Sequence, residues 1–526
     1  SSFFRTVNNL LNLNVFFTFK TMQQGNIFLI GLLFGIGFVS CKKDIAPKKT
    51  LVKPNVLFII ADDLNCDLET YGHPWVQSPH LNQLAEAGTV FENAHCQYPL
   101  CGPSRASLMT GLYAEQTKLT QNRIYLRQTI PSVVTIGQQF REAGYHSVRV
   151  GKIYHYDNPG SIGTSSFDDV YTWDYVYNPY GRDKEEEYKI EGVVKNWAGG
   201  DLSWYASEAT DAELTDGIGA QYAADQLKKF AQNGENFFLA VGLYRPHVPF
   251  VAPKKYFDLY PKDSLKVPPS DDAYLETLPK KAAQTLRAKK NQVDLDPEIA
   301  KIVLQAYYAS NSFVDAQVGT LLKALKTTGL DENTIVIFTS DHGYHMGEHG
   351  HYQKRTLFDN GTRVPLILAG PGVPKNYRNN TPVELIDLYP TLMALTQNET
   401  PSFVQGQSLV PLFDPNTEAS YQSVGALTQL YDGFSLKTPY HRITRWPEGN
   451  GFAYELYDLA KDPKEMNNLA QKPQYEALLD SLKGHLEAKI TFAQQKPAGL
   501  GLQIEGVRAM RKPKMTRFLT PKNGQE

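Results

Sequence analysis

Short continuous runs of apolar residues alternate along the chain with longer segments that have helical periodicity. The runs are too short for helices and are bounded by proline or charged residues, which favours strands buried on both faces of a parallel sheet. Such strands are predicted at Asn55–Ala61, Phe237–Gly242, Thr334–Ser340 and Pro365–Leu368. Helices are predicted at 79–88, 132–143, 217–230 and 297–327. This alternation predicts an α/β sandwich with a large, mostly parallel central sheet flanked by helices.

Acidic residues directly follow two of these predicted strands. Asp62 and Asp63 come after the first strand, and Asp341 comes after Thr334–Ser340. Open α/β sheets bind ligands at the carboxyl ends of their strands. Three carboxylates at that edge would repel each other unless a hard divalent cation lay between them, and oxygen ligands are typical of Ca²⁺ or Mg²⁺. The pattern therefore predicts a metal site, although either acidic motif alone would more often be a turn or a helix cap.

The pattern changes after about Pro415, where shorter segments with turn signals begin. We therefore divide the folded chain into a large domain, residues 53–415, and a smaller C-terminal subdomain with its tail, residues 416–526. From about Gln494 onward the chain is basic and interrupted by proline and glycine, so an irregular tail is expected. The stretch 174–189 is rich in tyrosine and glutamate and predicts a surface loop.

Composition narrows the class of protein. The 526 residues are 42% hydrophobic, which is typical of an ordinary globular chain with one large core and a satellite domain. A formal net charge of −2 gives no global attraction to nucleic acid, so any attraction for an anionic substrate must be local. Four cysteines are too few for a disulfide scaffold, and Cys66 and Cys96 are expected as small buried hydrophobes.

The N-terminal segment contains an apolar run, Ile27–Val39, that ends in Ser40 and Cys41. Its length is that of the hydrophobic region of a signal peptide and is too short to span a bilayer comfortably. It resembles a bacterial lipoprotein signal, in which Cys41 would carry the lipid. We therefore expect residues 1–41 to be a signal segment and residues 42–52 a polar tether. The mature protein would be an exported lipoprotein, held at a periplasmic or cell-surface membrane by its lipid alone.

Cys101 begins the run Cys-Gly-Pro-Ser-Arg, and Ser107, Thr110 and Gly111 complete a longer pattern. An isolated Cys-x-Pro would most simply be a buried cysteine before a turn that begins a helix. The whole pattern resembles the maturation signature of the type I sulfatases. The resemblance implies that a dedicated maturing enzyme oxidises Cys101 to formylglycine, an aldehyde whose hydrate attacks sulfur.

Three more motifs resemble the iduronate-2-sulfatase branch of that family. They are Gly-Lys-x-x-His at 151–155, Tyr-Arg-Pro-His-Val-Pro-Phe at 244–250, and Gly-Glu-His-Gly at 347–350 followed by Lys354. The similarity extends with gaps from about residue 55 to 365 and resumes near 455. It implies an alkaline-phosphatase-like sandwich with a smaller C-terminal subdomain, in which an antiparallel sheet is followed by a helix.

The resemblance also implies a set of metal ligands. They are Asp62, Asp63, Cys101, Asp341 and His342. Most sulfatases carry asparagine where this chain has His342, and the iduronate-2-sulfatase branch has histidine there. An imidazole nitrogen is a softer ligand than an amide oxygen, which leaves the identity of the metal open. The oxygen ligands make Ca²⁺ the expected cation, with Mg²⁺ as the alternative.

Roles for the remaining site residues follow from the same resemblance. Arg105, Lys152, His247 and Lys354 would surround the sulfate, because fixed cations stabilise the charge that spreads over its oxygens. His247 or Lys354 would donate the proton that the departing sugar needs. His155 would then deprotonate the second hydroxyl of the hydrated aldehyde, which expels sulfate.

The implied substrate is a sulfated polysaccharide or its oligosaccharides, with exo-acting removal of a 2-O-sulfate from a uronic acid or a similar sugar. Recognition of a carboxylate favours arginine. Arg355 is the first candidate for that contact and Arg245 the second, and an ordinary surface arginine is the alternative. The expected partners are the sulfated carbohydrate and the maturing enzyme, without nucleic acid.

Two other functions fit parts of the pattern. Phosphomonoester and phosphonate ester hydrolases of the alkaline phosphatase superfamily share the sheet and its metal corner. They typically lack the pairing of Lys152 with His155 and the Gly-Glu-His-Gly segment. A non-catalytic lipoprotein that binds polysaccharide is the third hypothesis, and the intact set of site residues argues against it.

Overall fold

The computed structural model describes residues 53–194, 200–269 and 272–511. The signal segment, Cys41 and the tether 42–52 lie outside the described residues. Among the helices within those ranges, none is both long and apolar enough to cross a membrane.

The strands are β1 (Asn55–Asp62), β2 (Gly88–His95), β3 (His146–Gly151), β4 (Tyr175–Tyr177), β5 (Glu191–Gly192), β6 (Ser203–Ser207), β7 (Phe237–Pro246), β8 (Phe250–Pro253), β9 (Thr334–Ser340), β10 (Arg363–Ala369), β11 (Tyr377–Asn379), β12 (Val383–Glu384), β13 (Ala426–Leu430), β14 (Gly433–Lys437), β15 (His441–Glu448) and β16 (Gly451–Asp458).

The helices are α1 (Pro79–Glu86), α2 (Cys101–Thr110), α3 (Ala114–Thr117), α4 (Leu126–Thr129), α5 (Ile136–Glu142), α6 (Arg182–Glu185), α7 (Thr215–Asn233), α8 (Lys254–Phe257), α9 (Lys280–Leu286), α10 (Pro297–Thr328), α11 (Asp359–Thr362), α12 (Leu388–Leu395) and α13 (Glu476–Gln494).

The large sheet has the order β11-β2-β10-β9-β1-β7-β3-β4, and β12 pairs with β2 at one side. Strand β1 lies near the middle and is parallel to both of its neighbours, β7 and β9. Strand β10 is antiparallel to both β2 and β9, while the other pairings of this sheet are parallel. The mostly parallel sheet predicted from the sequence is therefore confirmed.

Strand β1 shows why the sheet is buried on both faces. Its residues Leu57, Ile59 and Ala61 enter a core that also contains apolar residues of α1, α7 and α10. Val56, Phe58 and Ile60 enter a second core with residues of α2, α5 and α12. Successive side chains of a strand point to opposite faces, so a continuous apolar run supplies both cores. Helices therefore cover the sheet on each side.

The stretch 174–189 is not the surface loop that its charges suggested. Strand β4 extends the edge of the large sheet beside β3, and α6 follows it. Asp183 is buried because its carboxylate accepts hydrogen bonds from the Thr215 hydroxyl at 2.6 Å and from Arg245 Nη2 at 2.8 Å. A carboxylate can be buried when it is paired and hydrogen-bonded. The prediction of an exposed loop from the acidic composition is therefore wrong for Asp183.

The C-terminal region contains the antiparallel sheet β13-β14-β15-β16 and then α13. Leu482, Leu486 and Ile490 of α13 pack on this sheet, and Ile386 from the large domain joins the same core. Within 495–511 the described residues form neither helix nor strand, as expected for the tail. The division at residue 415 itself stays a prediction.

Candidate active site

The carboxyl ends of β1 and β9 bring three aspartates together. Ala61 pairs with Ser340, so the residues that follow each strand are neighbours. Asp63 takes a left-handed backbone conformation, with φ of 64°, and its N–H donates to Asp341 Oδ1 at 3.2 Å. Oxygen atoms of Asp62, Asp63 and Asp341 lie within 4.8 Å of one another, and all three residues are fully buried. We call this set the acidic corner.

Three cations from separate elements face the acidic corner. Arg105 on α2 donates from Nε to Asp341 at 2.8 Å and from Nη2 to Asp62 at 3.1 Å. Lys152, directly after β3, donates to Asp62, and Lys354 Nζ lies 2.5 Å from Asp63 Oδ1. No local sequence pattern places a cation beside these carboxylates. In the fold they are partly neutralised by side chains whose proximity no local pattern reveals.

The compensation differs between the two adjacent aspartates. Burial opposes ionisation of Asp62, but Lys152, His247 and Arg105 hold the pKa of its carboxyl well below the usual range. Burial raises the pKa of Asp63 to about 7, although Lys354 acts in the opposite direction. Asp63 is therefore the corner residue whose charge the protein satisfies least.

The acidic corner fits a divalent cation on two observations. Asp63 Oδ2 is buried and has no hydrogen-bond partner among the described residues. His342 Nε2 lies 3.4 Å from Asp63 Oδ1 and 3.6 Å from Asp341 Oδ2, while its Nδ1 lies 3.0 Å from the Gly343 carbonyl. Donation from Nδ1–H to that carbonyl leaves the Nε2 lone pair facing the carboxylates. Burial also lowers the pKa of His342 to about 4, which keeps the ring neutral and able to bind a metal.

Cys101 is the first residue of α2 and is fully buried. Its Sγ lies 3.1 Å from Lys354 Nζ, 3.4 Å from His342 Nε2 and 4.0 Å from Asp63 Oδ1. Burial raises the pKa of the Cys101 thiol above its ordinary value, although Lys354 lies beside it. A thiol in this state is a poor thiolate nucleophile. Residue 101 therefore lies next to the acidic corner, and its unmodified thiol is unreactive.

Arg105 lies one helical turn after Cys101 on the same face of α2. Besides its two carboxylate contacts, its Nη1 donates to the carbonyls of Lys152 and Ile153 at 2.8 and 3.0 Å. Its side chain is fully buried. This geometry favours a role for Arg105 in holding the carboxylates and the Lys152 segment, and its predicted contact with sulfate stays a prediction.

His155 lies beside Asp157, a residue that the sequence argument did not single out. His155 Nε2 is 3.5 Å from Asp157 Oδ1, which is outside good hydrogen-bond geometry. Arg123 holds Asp157 with two contacts, from Nε at 2.8 Å and from Nη2 at 2.7 Å. Burial lowers the pKa of His155 to about 4, against the opposing effect of Asp157. The ring is therefore a neutral base next to a fixed carboxylate, and the His-x-Asp spacing was the available sequence signal.

His247 follows β7, and its Nε2 lies 3.7 Å from Asp63 Oδ2. Its Nδ1 is 2.6 Å from the Val248 carbonyl, so Nε2 faces the acidic corner. Arg245, two residues earlier, is buried, and it donates from Nη2 to Asp183 at 2.8 Å and from Nε to the Val251 carbonyl at 3.0 Å. These contacts favour a positioning role for Arg245 over contact with substrate.

Lys354 and Arg355 lie in the loop before α11. His351 Nε2 is 3.2 Å from the Lys354 carbonyl. Arg355 has φ of 72°, and its Nη2 donates to the hydroxyl of Tyr431, between β13 and β14, at 2.6 Å. Arg355 thus links the active-site loop to the C-terminal sheet, a contact partner that the sequence did not indicate.

Three side chains of the site reach the surface. Cys101 has no exposed surface, whereas His155, His247 and Lys354 keep 6%, 8% and 8% of theirs. These three are therefore the predicted catalytic residues that a molecule in solvent can touch. The structure brings together the predicted nucleophile, metal ligands and catalytic residues, and their roles stay predictions.

The fold is shared with solved structures of this architecture. The crystal structure of the phosphonate monoester hydrolase of Agrobacterium radiobacter superposes with a TM-score of 0.70 and 20% sequence identity. The alignment covers 84% of this chain and 96% of that chain. At this identity the likeness shows a common fold and leaves the reaction undecided.

Sequence relatives decide the family. A sulfatase of Formosa agariphila is 32% identical over 479 residues, which cover 86% of this chain and 91% of the relative. Human iduronate 2-sulfatase is 32% identical over 416 residues, 71% of this chain and 74% of the relative. Residues 347–491 match the family model described as N-sulphoglucosamine sulphohydrolase, C-terminal. Residues 54–398 match the Sulfatase family model, and this chain therefore belongs to the sulfatase family.

Proposed function

We propose that this sulfatase removes a 2-O-sulfate from the non-reducing end of a sulfated polysaccharide or of its oligosaccharides. The observation that carries the proposal is the position of residue 101, with its side chain 3.1 Å from the Lys354 ammonium and 3.4 Å from His342 Nε2 beside the acidic corner. The printed name of the human relative, iduronate 2-sulfatase, supports the 2-position and a uronic acid.

We propose that Cys101 is oxidised to formylglycine by a maturing enzyme. The raised pKa of the buried thiol argues against a thiolate nucleophile. Cys101 is fully buried in the folded chain, so another enzyme would have to act before α2 packs on the large sheet. Maturation and folding are then sequential steps.

When residue 101 is formylglycine and the acidic corner holds Ca²⁺ or Mg²⁺, the hydrated aldehyde supplies the nucleophilic hydroxyl and the cation acts as a Lewis acid. Asp62, Asp63, Asp341 and His342 would hold that cation. Lys354 lies at the side chain of residue 101 and can donate to the sulfate oxygens.

Two residues can move protons on the exposed side of the site. His247 and Lys354 both face Asp63 and both reach the surface. Burial holds the pKa of His247 well below its usual range, which keeps its ring neutral, so the charged Lys354 is the first candidate to give a proton to the departing sugar oxygen and His247 is the second. His155 is the neutral base, and Asp157 Oδ1 lies 3.5 Å from its Nε2. His155 would take the proton of the remaining hydroxyl on residue 101, so that the carbon–oxygen bond to sulfate breaks, sulfate leaves and the aldehyde is regenerated.

The test uses protein produced together with a maturing enzyme. Peptide mass spectrometry around residue 101 should show formylglycine, and chromatography should show loss of sulfate from terminal 2-O-sulfated uronic acids. Cys101→Ala should fold and lose turnover. Turnover by the alanine variant would refute the mechanism. Activity confined to internal sulfates or to 6-O-sulfated hexosamines would refute the positional claim and leave the sulfatase assignment intact.

Arg355 is the proposed contact for the substrate carboxylate. Replacement by alanine should raise KM more for a carboxylated sugar than for a neutral one, because a guanidinium binds a carboxylate with two hydrogen bonds. An equal rise for both sugars would show that Arg355 does not recognise the carboxylate.

We also propose export as a lipoprotein anchored through Cys41. The apolar run Ile27–Val39 before Ser40-Cys41 supports it. Metabolic labelling with a fatty acid should mark the wild-type chain and leave Cys41→Ser unlabelled. Equal labelling of both would refute the anchor.

A further inference from the structure

A cavity of about 480 Å³ lies between α9 and the C-terminal sheet. Gln353 and Arg355 line it, and they flank Lys354, whose Nζ is 3.1 Å from Cys101 Sγ. The volume is within the range of about 300 to 1,000 Å³ that is typical of small-molecule sites. This space, which we call the α9 cavity, is therefore adjacent to the proposed active site.

A second cavity, of about 630 Å³, lies on the other side of Arg355. It is lined by Leu100, which precedes Cys101, and by Asn122, whose side chain accepts the Gly102 N–H at 2.8 Å. Arg355 and Tyr431 line both cavities. The hydrogen-bonded pair Arg355–Tyr431 is thus a shared wall, with the Cys101 turn on one side and the α9 cavity on the other.

The shared wall is built from two strained residues. Arg355 and Tyr431 both have left-handed backbones, with φ of 72° and 52°. Such a conformation is uncommon for large side chains and strains the backbone at each residue. Arg355 Nε is buried and has no hydrogen-bond partner within the described ranges. The Arg355–Tyr431 contact thus combines backbone strain with an unused donor, which favours ligand binding beside it.

The lining of the α9 cavity has a surplus of positive charge. Lys281, Lys289 and Arg355 contribute cations, and Asp432 contributes a carboxylate. Lys281 is exposed, while Lys289 donates to the Gly200 carbonyl and lies 3.5 Å from Asp201. Arg355 donates to Tyr431 and is the proposed contact for the terminal carboxylate, so Lys281 is the lining cation most available to an anion on a second sugar.

The largest apolar residue of the lining is Trp446, beside Ala288 and Pro447. Its indole packs against Gly433, where an added Cβ would lie 2.5 Å from the ring. Its Nε1 donates to Glu455 at 2.6 Å, so the ring orientation is fixed. Only 3% of Trp446 is exposed, so it forms a rigid apolar wall of the cavity, and such a wall beside cations suits a pyranose that carries a negative group.

We propose that the α9 cavity binds the second sugar of an anionic oligosaccharide, while the sugar that carries the reacting ester lies against the Cys101 turn. This inference rests on the proposed function. It makes the protein selective for oligosaccharides whose second unit is sulfated or carboxylated. Helix α9 and the C-terminal sheet then take part in substrate choice.

The test compares three probes that share a terminal 2-O-sulfated uronic acid: its methyl glycoside, a disaccharide with N-acetylglucosamine, and a disaccharide with N-sulfoglucosamine. The variant is Lys281→Gln, and the matched control is Lys280→Gln, an exposed neighbour on α9 that does not line the cavity. Affinity of the intact probes for the Cys101→Ala protein, with and without each lysine change, gives a readout that does not need turnover.

We expect the wild type to prefer the N-sulfated disaccharide over the methyl glycoside in kcat/KM. Lys281→Gln should reduce this preference by up to about fivefold, the size of one partly exposed charge contact, while Lys280→Gln keeps it. The affinities of the intact probes for the Cys101→Ala protein should change in the same direction as kcat/KM. A preference unchanged by Lys281→Gln, or reduced equally by Lys280→Gln, would overturn the second-sugar site. Failure of the wild type to cleave any of the three probes would instead overturn the proposed substrate.

Discussion

The acidic corner differs from a second buried charged cluster at the junction with the C-terminal sheet. In that junction cluster, Arg442 donates to Asp359 at 2.6 Å and to Glu465, and the second oxygen of Glu465 accepts the Asp359 N–H at 2.7 Å. The protein thus supplies partners on both sides of the guanidinium. In the acidic corner, Asp63 keeps a buried oxygen without a partner among the described residues. A closed network fastens two regions together, whereas an open one retains capacity to bind an ion.

The largest effect that separates the two clusters is expected from Asp63→Asn. Loss of a metal-ligand charge should lower turnover by roughly 10³-fold, since a Lewis acid contributes several kcal/mol to catalysis. The free energy of unfolding should change much less than turnover. Exhaustive chelation of the wild type should mimic the activity loss, and added calcium should reverse it. An Asp63→Asn protein with more than a tenth of wild-type turnover would contradict a metal role for the corner.

The opposite pattern is expected from Arg442→Met. It leaves Glu465, of which 1% is exposed, buried without its cation, and should cost about 3–5 kcal/mol of unfolding free energy. KM for a small sulfate ester should stay near the wild-type value. The double variant Arg442→Met/Glu465→Gln should recover part of the loss in chemical denaturation. A single variant that loses less than about 1 kcal/mol would show that the junction cluster does not fasten the fold.

A smaller effect is expected from Asp157→Asn, which removes the carboxylate charge beside His155. We expect kcat/KM to fall roughly 10- to 100-fold, within the contribution of a positioned base. Asp157 raises the pKa of His155, so its removal should move the acidic limb of the pH profile to lower pH. The control is Asp169→Asn, another aspartate held by two contacts from one arginine. An unmoved limb would assign Asp157 a purely structural role.

The smallest effect concerns the pH dependence of stability in the C-terminal sheet. Burial raises the pKa of Glu455 to about 7, above its unfolded value of about 4.3. Its contribution to stability is therefore full below pH 4 and is lost as the pH rises towards 7. Glu455→Gln should flatten this slope, a change on the order of 1 kcal/mol, in unfolding curves at pH 5 and 8. Parallel curves for both proteins would contradict the shift.

The sequence predicted the elements whose signal is local. The run that became β1 and the run Thr334–Ser340 were recognisable because a strand buried on both faces is apolar throughout. Their shared register then places Asp62 and Asp341 at one edge without any further information.

The remainder depended on partners that are distant along the chain. Asp183 looked exposed until Arg245, 62 positions later, neutralised it. Tyr431 lies 76 positions after Arg355, and neither residue marks the other in the sequence. Burial of a charge is a property of a pair, so single-residue patterns could not assign it.

The polar residues at the ends of strand β1 also affect how the strand aligns with its neighbours. Because its successive side chains enter two equally apolar cores, hydrophobicity alone offers little preference between one alignment of this strand and the next. Polar groups at its ends remove the ambiguity: the Asn55 side chain accepts the Phe237 N–H at 3.3 Å, and Asp62 accepts from Arg105 at 3.1 Å. Asn55 and Asp62 thus fix the register of the central strand. An in-frame deletion of one residue within β1 would cost the protein its correct assembly and its chemistry in a single event.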